Sequence, residues 1–275
     1  MNKSRRITQV FAAPFLLWAV IFIFIPLLFI AWYGTTDGTG AFTTANLSVI
    51  FHWEYLKSLE LSLFLGLVST LACLVIAYPV CLILTEKKRG KSPLIFVLFI
   101  LPMWMNSLLT TMAWQTLLEK NGIINQFLRL LSLPDVALIN TPFAIVCGMI
   151  YNFLPYMVLP LYVSLSKINR NVIHAARDLG ASPFQTFTKV VFPLTLPGII
   201  SGITMVFIPS LTTFFISGLL GGNKVLLIGN IVEQEFTVAY DWHLGSALSL
   251  ILMVFIILNM ALTAYFDTAE GQVKR

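Results

Sequence analysis

Charge is what this sequence has least of. Asp, Glu, Lys and Arg make up 11% of its 275 residues and hydrophobic residues 58%, against roughly 25% and 45–50% in soluble domains, so the chain is built for a membrane. A net charge of +5 would hint at nucleic acid in a soluble protein; here no nucleic-acid partner is expected, and the placement of the charges is what informs. No charged residue stands at the centre of an apolar run. Carriers driven by protons or sodium keep an ionisable group at membrane depth, so that class is disfavoured and the energy for any transport must come from outside the chain. Cysteine is scarce too. Cys73, Cys81 and Cys147 sit in apolar runs without C-x-x-C spacing, and are read as small buried hydrophobes, with no disulfide and no metal site. The three histidines, His52, His174 and His243, show no H-E-x-x-H, and no G-x-x-x-x-G-K-[ST] occurs. A metalloprotease and a nucleotide-binding loop are both unsupported. No catalytic residue is assigned, and the chain is expected to bind no cofactor of its own.

What is present is apolar length. Stretches at about 11–33, 59–84, 93–118, 142–163, 196–220 and 244–266 are each near the roughly 20 residues that cross a bilayer. The fold class predicted is all-α: a six-span domain over 11–266, between a basic N-terminus (1–10) and a short tail (267–275). The first span is read as uncleaved, because no small-x-small site follows it before the polar segment at Gly34. Thirteen of the 17 Lys and Arg residues fall at the N-terminus, in the Glu86 to Lys91 turn, around Asn169 and in the tail, leaving Lys57, Lys120, Arg129 and Lys224 on the other side. That bias puts both termini in the cytoplasm, in a multi-pass protein of the bacterial inner membrane. The outer segments are acidic, with Glu233, Glu235 and Asp241 grouped between spans five and six. These acids either attract a cationic solute to an outer mouth or are what remains once bases are biased inward.

One stretch between apolar runs, Asn169 to Gly198, is too polar for lipid. Val172, Ala175, Ala176 and Leu179 recur at i, i+3, i+4 and i+7, one face of a helix, with His174, Arg177 and Asp178 off it. Gly180 is placed to stop that helix in a left-handed turn. After Ala181, the order Ser182, Pro183, Gln185 gives an N-cap, a first-turn proline and a capping-box glutamine, so a second short helix starts at once. Pro193 and Pro197 are expected to close it. The result is a stiff protrusion suited to docking.

The sequence Ala175-Ala176, Leu179-Gly180-Ala181-Ser182, followed by Pro193-Leu194-Thr195-Leu196-Pro197-Gly198-Ile199, resembles the EAA loop of permease subunits of bacterial ABC importers. The resemblance implies a type I importer permease fold in which His174 to Pro183 form a coupling helix seated on an ATPase subunit. His174 stands where the family has Glu, and an imidazole carries no negative charge to offer a basic partner. Leu101 to Thr110 and the Gly221 to Asn230 segment, GGNKVLLIGN, are similar to spermidine/putrescine permeases of the PotB-like kind. This implies a heteromeric polyamine importer with a second permease subunit (PotC-like), an ATPase dimer (PotA-like) that holds ATP and Mg, and an extracytoplasmic binding protein (PotD-like). Permeases for other small solutes share the loop, and a scaffold that moves no solute also fits a docking protrusion.

Polar and aromatic stripes are the remaining feature of the spans. On a straight third span, Trp104, Ser107, Thr111 and Gln115 fall within about 60° of one another, with Trp114 at the edge. Span five has Ser210, Thr213 and Ser217, and span four has Tyr151, Tyr156 and Tyr162. These faces serve either a solute path, the aromatics holding an alkylammonium group, or the packing of helices.

Overall fold

The computed structural model describes residues 14–86 and 92–273. In chain order its helices are α1 (Pro14–Thr35), α2 (Trp53–Glu86), α3 (Ser92–Ile100), α4 (Ser107–Leu118), α5 (Ile123–Leu130) and α6 (Pro142–Ser166). They continue with α7 (Arg170–Asp178), α8 (Pro183–Thr212), α9 (Phe215–Gly221), α10 (Ile228–Gln234) and α11 (Trp242–Val273). No strand occurs among the described residues, as an all-α fold requires. Five helices, α1, α2, α6, α8 and α11, are long and apolar enough to cross a membrane, with mean hydropathy from 1.7 to 2.7; a sixth span requires Phe96–Trp104 and Ser107–Leu130, bent by 100°, to count as one. Residues 1–10, Lys87 to Lys91 and the last two of the tail lie outside the described residues.

The chain forms two compact units, one of residues up to Leu56 with Ile231–Phe255, the other of Lys57–Asn230 with the residues from Ile256 onward. In the first unit, α1 comes so close to the start of α11 that a Cβ on Gly34 would lie 2.7 Å from Leu250 and 3.1 Å from the Ala247 backbone. Thr36 and Phe42 then form an isolated bridge that folds the polar segment back on itself.

The second unit is organised by α6 and α8. Ile145, Met149, Met157, Val158 and Leu161 of α6 are fully buried, together with Val206 of α8. A bilayer gives no hydrophobic push between helices, so close backbone approach must hold them. Gly198 and Gly202 of α8, four residues apart, provide it: a Cβ on Gly198 would meet Ser164 Cβ at 2.5 Å and the Pro160 carbonyl at 2.9 Å, and one on Gly202 would meet Met157 Sδ at 2.6 Å. Tyr78 of α2 fixes the other side of α8 through a 2.8 Å hydrogen bond with Thr195 and an edge contact with Phe187.

Four expected spans are redrawn. The third is not one helix: a 3-10 turn over Leu101–Trp104 follows Pro102, and Asn106 then caps α4 by accepting from the N–H groups of Leu108 and Leu109 at 2.9 and 3.2 Å. The fifth starts earlier than 196, because Pro183–Thr212 is one continuous helix with a π turn at Phe187–Val191. Pro193 sits in the first turn of its α-helical stretch and Pro197 lies inside it, so neither closes a short helix. The same span ends at Thr212 and resumes as α9, so 196–220 is a broken pair. In addition, α2 begins at Trp53 and α11 runs on through 266 to Val273.

Candidate functional site

The protrusion is held by caps at every turn. Asn169 Oδ1 accepts from the Asn171 N–H at 3.0 Å and starts α7. Its end is a Schellman motif: Gly180, at φ +88°, donates its N–H to the Arg177 carbonyl at 2.9 Å, and the Ala181 N–H reaches the Ala176 carbonyl at 3.0 Å. Ser182 and Gln185 close the expected capping box, the Gln185 N–H donating to Ser182 Oγ at 3.2 Å and the Ser182 N–H to Gln185 Oε1 at 2.9 Å. Several of the orphaned helix-end groups therefore find partners a few residues away, which stiffens the turn.

Its outer face is apolar and uncovered. Leu179 is 90% exposed, Phe184 74% and Val172 45%; Ala175 is exposed as well and Ala176 half-buried. The opposite face, Arg170, Ile173, His174 and Arg177, lines a cavity with Leu82, Leu165 and Pro183 among its walls. The sequence periodicity identified the first face; the second follows the same spacing, and its mixed chemistry hid it.

The proposed pathway residues are scattered. Trp104 lies in the 3-10 turn, 87% exposed, so it does not share a helix face with Ser107, Thr111 and Gln115. Ser107 is exposed at the start of α4, whereas Thr111 is fully buried and bonds back to the Ser107 carbonyl at 2.7 Å. Four of the aromatics fall in three ring pairs: Trp114 with Tyr151 at 5.7 Å, Tyr156 with Phe153 at 6.4 Å, Tyr162 with Phe96 at 4.2 Å. Ser210 is buried and donates to the Val206 carbonyl at 2.7 Å. Thr213 sits at the break between α8 and α9, which interrupts the stripe from Ser210 to Ser217, and its buried hydroxyl has no partner. The hydroxyls of Thr111 and Ser210 thus bond back within their own helices.

That break is fastened by a residue the stripes did not suggest. Asn230 donates from Nδ2 to the Phe214 carbonyl at 2.8 Å and accepts at Oδ1 from Ser217 Oγ at 2.5 Å and the Leu227 N–H at 3.2 Å. Ile228 N–H donates to Ser62 Oγ of α2 at 2.8 Å. Gly229 lets the segment lie against the open carbonyls, since a Cβ would meet those of Thr212 and Thr213 at 2.9 and 3.0 Å. Asn230→Ala removes three hydrogen bonds and leaves the buried Leu227 N–H without its partner, and the expected loss is about 2 kcal/mol. Thermal unfolding of the purified protein checks it; an unchanged midpoint would show that the clasp carries no stability.

In the first unit, Glu235 and Asp241 lie side by side, with Glu233 less than one turn before Glu235 on the chain. The Asp241 N–H donates to the Glu235 carbonyl at 2.9 Å, and Asp241 Oδ1 caps α11 through the Leu244 N–H at 2.9 Å. Thr237 donates to Glu233 Oε1 at 3.1 Å. Burial, and then the charge of Asp241, hold the Glu235 carboxyl above the usual carboxylate range. Among the described residues no group of His, Cys, Asp and Glu is arranged to hold a metal.

Comparison with known proteins agrees with this geometry. Residues 79–270 match the family described as binding-protein-dependent transport system inner membrane component. The chain is 38% identical over 261 residues to the spermidine/putrescine transport system permease protein PotB of Escherichia coli (strain K12), covering 92% of this chain and 94% of that one. It is 37% identical to the PotB protein of Haemophilus influenzae, covering 92% and 90%. A chain of a bacterial alginate ABC transporter, crystallised with a periplasmic protein bound to alginate pentasaccharide, superposes with a TM-score of 0.82 at 14% identity over 96% of this chain and 95% of its own. One from the inward-facing MetNI methionine ABC transporter gives 0.57 at 19% identity, over 79% and 96%.

Proposed function

This chain belongs to the family of inner membrane components of binding-protein-dependent transport systems, and from that premise we propose that it is a permease subunit of an ATP-driven importer of polyamines of the spermidine/putrescine class. The observation that carries the reading is the protrusion: a doubly capped helix turn with an uncovered apolar face, running without a break into a membrane span. A helix of 30 residues is about 45 Å long. Force applied at Pro183 is therefore delivered along α8 to the buried break at Thr213.

The ATPase sits on separate subunits, where ATP and Mg are bound, and the chain itself is not an enzyme. A second permease completes the pathway, and an extracytoplasmic binding protein delivers the solute. The bias of basic residues supports a cytoplasmic protrusion and cytoplasmic termini. Polyamine specificity rests on the PotB relatives, and the exposed Trp104 and the Glu233, Glu235 and Asp241 group are the residues of this chain chosen to meet an alkylammonium solute.

The test is reconstitution of the complete importer in liposomes with labelled spermidine. Accumulation that needs both ATP and the binding protein is the expected result. Accumulation of a different solute class in its place would remove the polyamine assignment, and ATPase binding without any flux would leave only a scaffold.

A further inference from the structure

One face of α7, formed by Arg170, Ile173, His174 and Arg177, turns toward the chain, while Leu179 stands 90% exposed. There it roofs a cavity of about 470 Å³. The floor is apolar and comes from the ends of two spans and the neck of a third: Leu82 of α2, Leu165 of α6, and Phe187 and Val191 of α8. Among the described residues that line it, none is acidic. Arg170 Nη2 donates to the carbonyl of Thr85 at 2.6 Å, which offsets the negative C-terminal end of α2 at the cavity wall.

We propose that this cavity holds the phosphate headgroup of an anionic membrane phospholipid, with its acyl chains along the apolar floor. Three features select a lipid. The cavity opens where α2 and α6 end, which is the headgroup level of the leaflet that the spans leave. Its polarity changes from cationic roof to apolar floor over one site, the order of a phospholipid from phosphate to chain. Basic pockets between spans on the cytoplasmic side are suited to anionic headgroups, with each basic residue adding attraction of its own. The inference rests on the cytoplasmic placement of the protrusion. A lipid bound here braces α7 from behind while its outer face meets the ATPase.

The measurement is native mass spectrometry of the whole importer, extracted from liposomes of phosphatidylglycerol and phosphatidylcholine mixed in equal parts, with neither ATP nor solute present. The intact complex is expected to retain phosphatidylglycerol in preference to phosphatidylcholine. Arg177→Gln is expected to lower that retention roughly fivefold, and His174→Glu, which puts a carboxylate in the roof, to abolish it. Equal retention of the two lipids by the unmodified complex would overturn the proposal whether or not the variants assemble. So would retention by Arg177→Gln at the unmodified level, or inorganic phosphate held in place of lipid. Because no transport is measured, a complex that imports but keeps no lipid removes this inference alone, and one that keeps lipid but imports nothing removes only the functional reading.

Discussion

Gly180→Pro is expected to abolish ATP-driven uptake while the protein still inserts in the membrane. Gly180 holds φ at +88°, and proline is locked near −65°; the substitution also deletes the N–H that donates to the Arg177 carbonyl. The Schellman turn cannot form, so α7 loses the fixed angle at which it meets Ser182 and α8. Gly180→Ala is the graded control. A Cβ there meets nothing within 4 Å, so its cost is the left-handed conformation alone, about 1–2 kcal/mol, and uptake should fall without disappearing. Leu179→Asp separates docking from folding. The side chain is 90% exposed, so the change leaves the packing of the chain intact, and loss of uptake would report a lost partner contact. Labelled solute accumulation and stimulated ATPase activity in proteoliposomes give both readouts. Uptake at the unmodified level by Gly180→Pro would end the view that this turn transmits force.

The protrusion was legible because its signals are local. Gly180, Ser182, Pro183 and Gln185 act within a few residues of one another, and sequence order alone sets which group caps which. The spans were legible in approximate place, because apolar length is a property of composition. Their breaks were not. Pro193 and Pro197 read as terminators, but proline is tolerated in the first turn of a helix and, in spans, where neighbours take up the freed groups. The actual interruption at Thr213 carries no proline of its own; it is fastened by Asn230, sixteen residues after Phe214, whose side chain donates to the Phe214 carbonyl. For the same reason the stripe from Trp104 to Gln115 dissolved: Asn106 restarts the helix on a new axis, and a stripe is defined only along a continuous one. The Gly198 and Gly202 spacing was present in the sequence, but its meaning depends on which helix lies opposite.

That contact yields the second large effect. Gly198→Val is expected to prevent α6 and α8 from packing, because its Cβ would fall 2.5 Å from Ser164 Cβ and 2.9 Å from the carbonyl of Pro160. Backbone beside a proline has little room to retreat, and overpacking a close contact costs about 1–3 kcal/mol, or more when nothing can give. Gly202→Ala should be tolerated, within about 1 kcal/mol, because its nearest contact is the thioether of Met157, the movable end of a flexible side chain. Thermal stability and membrane yield of the two variants side by side test the contrast, and equal losses would refute it. The functional consequence follows from the continuity of α8. Between the protrusion at Pro183 and the break at Thr213, Gly198 and Gly202 are where this helix bears most closely on α6. On the proposed function a push from the ATPase would tilt α8 about that contact, so a Gly198 variant that still assembles should hydrolyse ATP without moving solute.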